Sequence, residues 1–247
     1  MIPIKSEEDL KMLKKSGKIL ARIMHRLKKS IRPGISTIEI ERLAEKLMQG
    51  ENVISAFKGY HGFPANICTS VNEEVVHGIP NQKMLREGDI ISLDVGINYQ
   101  GYISDIAITL PVGRINSKLQ KLIRVTRNAL AQGIKQARIN NHLSDISYAI
   151  QTYVEKQGFQ VVRQFVGHGV GYALHEAPEI PNFGQPHQGE VLKKGMVLAI
   201  EPMVNTGTWE CKILDNGWTA VTRDGLPSAH FEHTVAITEA GPEILTN

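Results

Sequence analysis

Leu10, Leu13, Gly17, Leu20, Met24 and Leu27 recur at three- and four-residue spacing. The pattern predicts an amphipathic helix, entered through the capping pair Ser6 and Asp9 and stopped by Arg32-Pro33-Gly34. With only about two heptads, packing on a sheet is the expected use of its apolar face, ahead of a coiled coil. A second capping pair, Ser36 and Glu39, opens a helix that ends at Gly50. Leu119, Leu122, Ile123, Thr126, Leu130 and Ile134 predict a third helix, and Ile146, Ala149, Ile150, Tyr153 and Val154 a fourth that ends at Gly158. After each helix pair the pattern changes to two-residue alternation broken by turn signals, the mark of strands.

The order helix, helix, strands is thus met twice. Leu85-Arg86-Glu87-Gly88 leads into Ile90, Ile91, Leu93 and Asp94, and Leu192-Lys193-Lys194-Gly195 leads into Val197, Leu198, Ile200 and Glu201, at a shift of 107 residues. Ser36, Gly50 and Phe57 match Ser144, Gly158 and Phe165 at a shift of 108, and His61-Gly62 matches His168-Gly169 at 107. A near-constant shift at separate places predicts one catalytic domain built by internal duplication, with halves at roughly 1–112 and 113–247. A site between such halves receives one acidic strand from each.

Four acids stand inside apolar, strand-like runs. They are Asp94 in Ile-Ile-Ser-Leu-Asp-Val-Gly, Asp105 in Tyr-Ile-Ser-Asp-Ile-Ala-Ile, Glu201 in Val-Leu-Ala-Ile-Glu-Pro-Met and Glu232 in His-Phe-Glu-His-Thr-Val. An unpaired buried carboxylate costs several kcal/mol. A hairpin centred on Asn98-Tyr99-Gln100-Gly101 sets Asp94 opposite Asp105. Glu201 and Glu232 are symmetric about Asn216-Gly217, a strong hairpin turn signal, although Asp224-Gly225-Leu226-Pro227 predicts a bulge that shifts this register. Two facing acid pairs repel unless cations lie between them. His168 in Val-Gly-His-Gly-Val-Gly, His175 in Leu-His-Glu-Ala-Pro and His77 in Val-Val-His-Gly-Ile-Pro add imidazole donors. Oxygen-rich ligation with one imidazole suits manganese, iron, cobalt or zinc.

Composition narrows the setting. At 247 residues and 42% hydrophobic content the chain can bury a full core. The formal charge of +3 is spread along the chain and gives no nucleic-acid stripe, though it leaves room for a transient ribosome contact. Cys68 and Cys211 are too few for a disulfide scaffold and form no Cys-x-x-Cys pair, so a reducing cytoplasm is the expected compartment. Glu7-Glu8-Asp9 does not fit a signal peptide, and no apolar run is long enough to span a bilayer.

The ordered set Asp94, Asp105, Gly-His168-Gly, Glu201-Pro-Met and Glu232-His-Thr resembles that of the type I methionine aminopeptidases, within the metallopeptidases of the "pita-bread" fold. The resemblance runs from the first helix to Thr234. It implies an α+β fold of two pseudo-symmetric halves, each with two helices packed on a mostly antiparallel, curved sheet. It implies two divalent metal ions (cobalt, manganese, iron or zinc), with Asp105 and Glu232 bridging both, Asp94 bidentate on one, and His168 and Glu201 on the other. His175 matches the histidine at the scissile carbonyl, His77 the one facing the scissile nitrogen, and Glu201 is implied as a proton shuttle as well as a ligand. Phe57, Tyr60, His61, Phe63, Cys68, Leu174 and Trp218 resemble the walls of the methionine pocket, which suit a thioether. Phe57 stands where bacterial members often have Cys, Phe63 where Tyr is frequent and Leu174 where Phe is frequent, changes that keep the pocket apolar while altering its size. The resemblance is to the short bacterial form, which carries neither the zinc-binding N-terminal extension of eukaryotic type I members nor the long C-terminal insertion of type II. The resemblance further implies co-translational removal of N-terminal methionine from nascent polypeptides with a small second residue, by a cytoplasmic monomer that needs no membrane. Two alternatives are an Xaa-Pro exopeptidase of the same fold and a relative that binds peptide or RNA without catalysis.

Overall fold

The computed structural model describes all 247 residues. In the first half, helices α1 (Glu7–Ser30) and α2 (Thr37–Gly50) precede strands β1 (Ile54–Ser55), β2 (Cys68–Val71), β3 (Glu74–Val76), β4 (Ile90–Tyr99) and β5 (Tyr102–Pro111). In the second, α3 (Ser117–Gln136) and α4 (Leu143–Lys156) precede β6 (Gln160–Val161), β7 (Gly167–Gly169), β8 (Glu176–Ile180), β9 (Val197–Ile200) and β10 (Met203–Asn205). The chain ends in β11 (Cys211–Ile213), β12 (Ala220–Thr222), β13 (Ser228–His230), β14 (His233–Thr238) and β15 (Gly241–Ile244). Every strand pairing is antiparallel. The α+β class expected from the sequence is what the chain adopts.

The helix starts follow their capping chemistry. The Asp9 carboxylate accepts from the backbone N–H of Ser6 at 2.8 Å while the Asp9 N–H donates to the Ser6 hydroxyl, and the Glu39 carboxylate accepts from the Ser36 N–H at 2.8 Å. In the second half Asp145 does the same for His142, its carboxylate accepting the His142 N–H at 2.8 Å. α1 buries Leu13, Gly17, Leu20, Met24 and Leu27, as the spacing predicts, and also Ser16, Ile19 and Ile23. It lies on β4 and β5.

The apolar interior is divided. One cluster joins α1 and α2 to β4 and β5, and a second joins α3 and α4 to β9, β13 and β14. A third straddles the two halves, with Leu13, Phe57, Phe63, Cys68 and Ile103 from one and Val170, Leu174, Ala199 and Leu245 from the other. No helix is long and apolar enough to cross a membrane.

Two registers decide where the acids fall. The β4–β5 hairpin turns at Gln100-Gly101 with Tyr99 opposite Tyr102, so Asp94 faces Ala107 and Asp105 faces Gly96. The expected Asp94–Asp105 opposition is therefore corrected to a diagonal pair, displaced by two residues and still on one face of the hairpin. The tighter turn is permitted by positive φ at both Gln100 and Gly101. The later hairpin keeps one register throughout: Ile200 faces His233, Met203 faces His230, and Ile213 faces Ala220. These pairs are all symmetric about Asn216-Gly217. The bulge expected at Asp224-Gly225 causes no net shift, because the unpaired segments 206–210 and 223–227 have equal length and the Asp224 carboxylate ties them by accepting the Thr208 N–H at 2.7 Å.

Candidate active site

β4 and β5 deliver Asp94 and Asp105, β7 delivers His168, and Glu201 and Glu232 stand opposite each other at the kink between the β9–β14 and β10–β13 ladders. All five line one cavity of about 670 Å³. Asp105, His168 and Glu232 each bring a ligand atom within 4.8 Å of the others. His168 Nε2 lies 3.3 Å from Glu201 Oε1, while its Nδ1 is 2.9 Å from the Gly169 carbonyl, which fixes the ring. Gly167 and Gly169 are required here, since a Cβ on either would strike the backbone of a neighbouring strand.

The electrostatics of this cluster are those of a cation trap. Burial, followed by the charges of Asp105 and Glu201, pushes the Asp94 carboxyl well above its ordinary range. Burial and the same two neighbours, with Asp94, push Glu232 up as well. Asp105 is raised to about 6 by burial, with His168 and His230 partly offsetting it. Burial would raise Glu201 too, but hydrogen bonds from His168 and His230 outweigh it and hold the group at about 2. Asp94 Oδ1 and Glu232 Oε1 are buried without a hydrogen-bond partner. Orphaned carboxylate oxygens converging beside an imidazole are the donor set that divalent cations satisfy.

The seam between the halves holds the acids in place. The Glu232 N–H donates to the Ala107 carbonyl at 2.8 Å, and the Asp105 N–H donates to Thr234 Oγ1 at 2.8 Å, whose own proton goes back to the Asp105 carbonyl. One step further, the His230 N–H donates to Thr109 Oγ1 at 2.8 Å, and that hydroxyl donates to the His230 carbonyl.

The other expected residues gather around the same cavity. His175 lies edge-on to His168 with ring centroids 4.3 Å apart, and its Nδ1 is 2.9 Å from the Tyr60 hydroxyl, leaving Nε2 to face the cavity. Partial burial, then the His168 charge, lowers its pKa to about 4, so the ring is neutral at physiological pH. His77, at positive φ, stands edge-on to Phe165 at 5.5 Å, its pKa also lowered by burial. Phe57, Phe63, Cys68 and Leu174 are buried, and Phe63 packs edge-on against Trp218 at 5.1 Å. Cys68 is paired with Asp94 across β2 and β4, and burial raises its thiol, which stays protonated as an apolar wall. His61 lines the cavity rim and is exposed.

Several lining residues carry no sequence signal of their own: Gln164, Phe165, Val76 and Met203. His230, buried and 3.4 Å from Glu201 Oε2, was also missed, although its place two residues before Glu232 puts it on the same strand face. Glu176 joins them. Its carboxylate accepts the N–H groups of Tyr172 and Ala173 at 2.6 and 3.0 Å and pairs at 2.5 Å with the buried Lys5 ammonium, so it sets the loop that carries Leu174 and His175.

Residues 11–239 match the profile of metallopeptidase family M24. The chain is 52% identical over 246 residues to methionine aminopeptidase 1 of Bacillus subtilis and 51% identical over 246 residues to the methionine aminopeptidase of Clostridium perfringens, covering 100% of this chain and 99% of each relative. Its fold superposes on the crystal structure of methionine aminopeptidase from Thermotoga maritima with a TM-score of 0.98 at 49% identity, covering 100% of both chains.

Proposed function

We infer the function of this chain from the premise that it belongs to metallopeptidase family M24 and is a metalloaminopeptidase of pita-bread fold: it removes N-terminal methionine from peptides and proteins. The enzyme uses divalent metal. We propose that two ions are bound, with Asp105 and Glu232 shared between them, Asp94 on one, and His168 and Glu201 on the other. The observation that supports this best is the pair of buried, unpartnered oxygens on Asp94 and Glu232 among four convergent carboxylates. Such ions, when bound, supply positive charge that acidifies water and polarises a carbonyl. Manganese, iron, cobalt and zinc all suit the donors, and supply in the cell decides among them.

The side chains divide the remaining work. Glu201, the acid kept most readily ionised, takes a proton from water and returns it to the departing amine. The neutral His175, steadied through Nδ1 by Tyr60, offers the Nε2 proton to the oxygen that gains charge as the carbonyl becomes tetrahedral. His77, which lines the same cavity, would face the scissile nitrogen. Phe57, Phe63, Cys68, Leu174 and Trp218, with His61 and Tyr60 at the rim, form a dry slot for the methionine thioether. A small second residue is part of the same proposal. Nascent polypeptides are the proposed substrates, with removal during translation, a transient ribosome contact, a monomeric state and a cytoplasmic setting.

The test is release of free methionine from Met-Ala-Ser by chelated protein, then by protein reconstituted with manganese or cobalt, with Ala-Pro-Ala alongside. Metal-dependent methionine release without cleavage of the proline peptide is expected. Cleavage of the proline peptide alone would transfer the chain to the Xaa-Pro exopeptidases, and cleavage of neither with metal bound would make it a peptide-binding relative.

A further inference from the structure

A second group of metal-ligating side chains lies outside the cavity, where α4 begins. His142 precedes the helix, Asp145 is in its first turn, and His187 comes from the loop between β8 and β9. A ring nitrogen of each histidine and a carboxylate oxygen of Asp145 lie within 4.8 Å of one another. None of the three lines the active-site cavity.

The geometry suits a small tetrahedral ion. His187 Nδ1 is 3.4 Å from Asp145 Oδ1, and ligands about 2.0–2.1 Å from zinc stand roughly 3.3 Å apart across a tetrahedral edge. The His142 and His187 rings are nearly perpendicular with centroids 6.3 Å apart, so an ion between them would meet nitrogen lone pairs from two directions. His142 Nδ1 is buried and has no hydrogen-bond partner.

The carboxylate is held in advance. Asp145 Oδ1 accepts the His187 N–H and Oδ2 accepts the His142 N–H, each at 2.8 Å, which leaves one lone pair on each oxygen free. Ligands oriented by such outer hydrogen bonds bind metal more tightly. The carboxylate also offsets the repulsion a cation would meet at the start of a helix. His187 keeps φ at +61°, an uncommon conformation for a side-chain-bearing residue, while its ring remains free to turn.

We propose that His142, Asp145 and His187 form a binding site for a borderline divalent cation, zinc above all, that fastens the loop at residues 187–191 to the start of α4. With two imidazoles, one carboxylate and a position left for water, the donor set is that of zinc rather than of magnesium or calcium. Zinc-treated preparations would then hold one ion more than the catalytic cavity requires.

The test compares wild type with His187→Asn, since asparagine tolerates the same backbone conformation and the side chain replaced is exposed. Both proteins are stripped with chelator and dialysed against micromolar zinc, and bound metal is counted. Wild type is expected to hold one more zinc per chain, with at least a tenfold weaker affinity for that ion in the variant. Methionine release at saturating cobalt should be equal in the two. Anomalous diffraction at the zinc edge should place a peak between the rings. Equal zinc counts, or a peak that appears only at millimolar zinc as an adventitious ion, would overturn the proposal. His142→Gln, which retains the backbone N–H that caps the helix, provides the second variant and should lose the same ion.

Discussion

Asp105 is buried on a strand, beside three other acids, with its backbone tied to Thr234 across the seam. A structural carboxylate in that position would need a cationic partner, and the groups around it are acids and two histidines. Asp105→Asn keeps the shape and removes the charge. It should lower methionine release by about a hundredfold or more while leaving the circular dichroism spectrum unchanged. Wild-type turnover with two ions still bound would remove the two-metal assignment. His175→Ala should behave differently, losing turnover through the missing proton donor while its metal content stays close to wild type. A defect explained wholly by lost metal would cancel the role given to its Nε2. At this scale the sequence was most readable where a residue contradicted its surroundings. Asp94, Asp105, Glu201 and Glu232 interrupt apolar runs and so announce themselves. His230 and Thr234 do not, because a histidine or threonine in a strand is ordinary until the opposite half supplies its partner. Lys5 and Glu176 are silent for the same reason, being 171 residues apart.

Among the elements, the helices were legible almost to their caps, since spacing and capping pairs are local properties. Strand register was less so. The position of a two-residue turn depends on which neighbours tolerate positive φ, and Gln100 does so here without being a residue type that signals it. The Asn-Gly turn gave the later register correctly because both of its arms lengthen equally through the break. One helix position also carries a stability prediction. In α1, a Cβ on Gly17 would fall against the Leu245 carbonyl oxygen, inside contact distance, while a Cβ on Gly50 at the end of α2 would meet nothing within 4 Å. Gly17→Ala should therefore destabilise by about 1–3 kcal/mol, because backbone must move. Gly50→Ala should be neutral or stabilising by up to about 1 kcal/mol. Thermal unfolding of the two variants decides the matter, and equal melting temperatures would show that the C-terminal segment does not pack on α1 as described.

For the molecule as a whole, the acid cluster couples stability to pH and metal. Asp94, Asp105 and Glu232 have folded-state pKa values raised above their unfolded ones. The unfolded chain releases these protons first, so the stability they confer is complete below the unfolded values and fades as pH rises through the folded ones. For Asp105, raised to about 6, the loss should be felt between roughly pH 4 and pH 7. Neutral burial of His77, His175 and His233 acts in the opposite sense over the same range, so the change in melting temperature from pH 5.5 to pH 7.5 should be more negative for chelated wild type than for chelated Asp105→Asn, and manganese should raise the wild type at pH 7.5 by binding the ionised form. The same pH dependence in the two proteins would contradict the raised carboxyl of Asp105. We also propose that the halves 1–112 and 113–247 arose by duplication. Gly88 and Gly195 both take positive φ just before the strands that lead to Asp94 and Glu201, and the isolated bridges Ser36–Met84 and His142–Val191 recur at nearly the same offset.

The donors of the cavity come from both sides of the connection between β5 and α3, with Asp94 and Asp105 before it and His168, Glu201 and Glu232 after it. Neither stretch holds a complete set, so catalysis works as a logical AND. If the chain is cut near Gly113 and the pieces are made as separate polypeptides, each alone should be inert, and methionine release should report their meeting. Fused to two other proteins, the same fragments would become a sensor of whether those proteins touch.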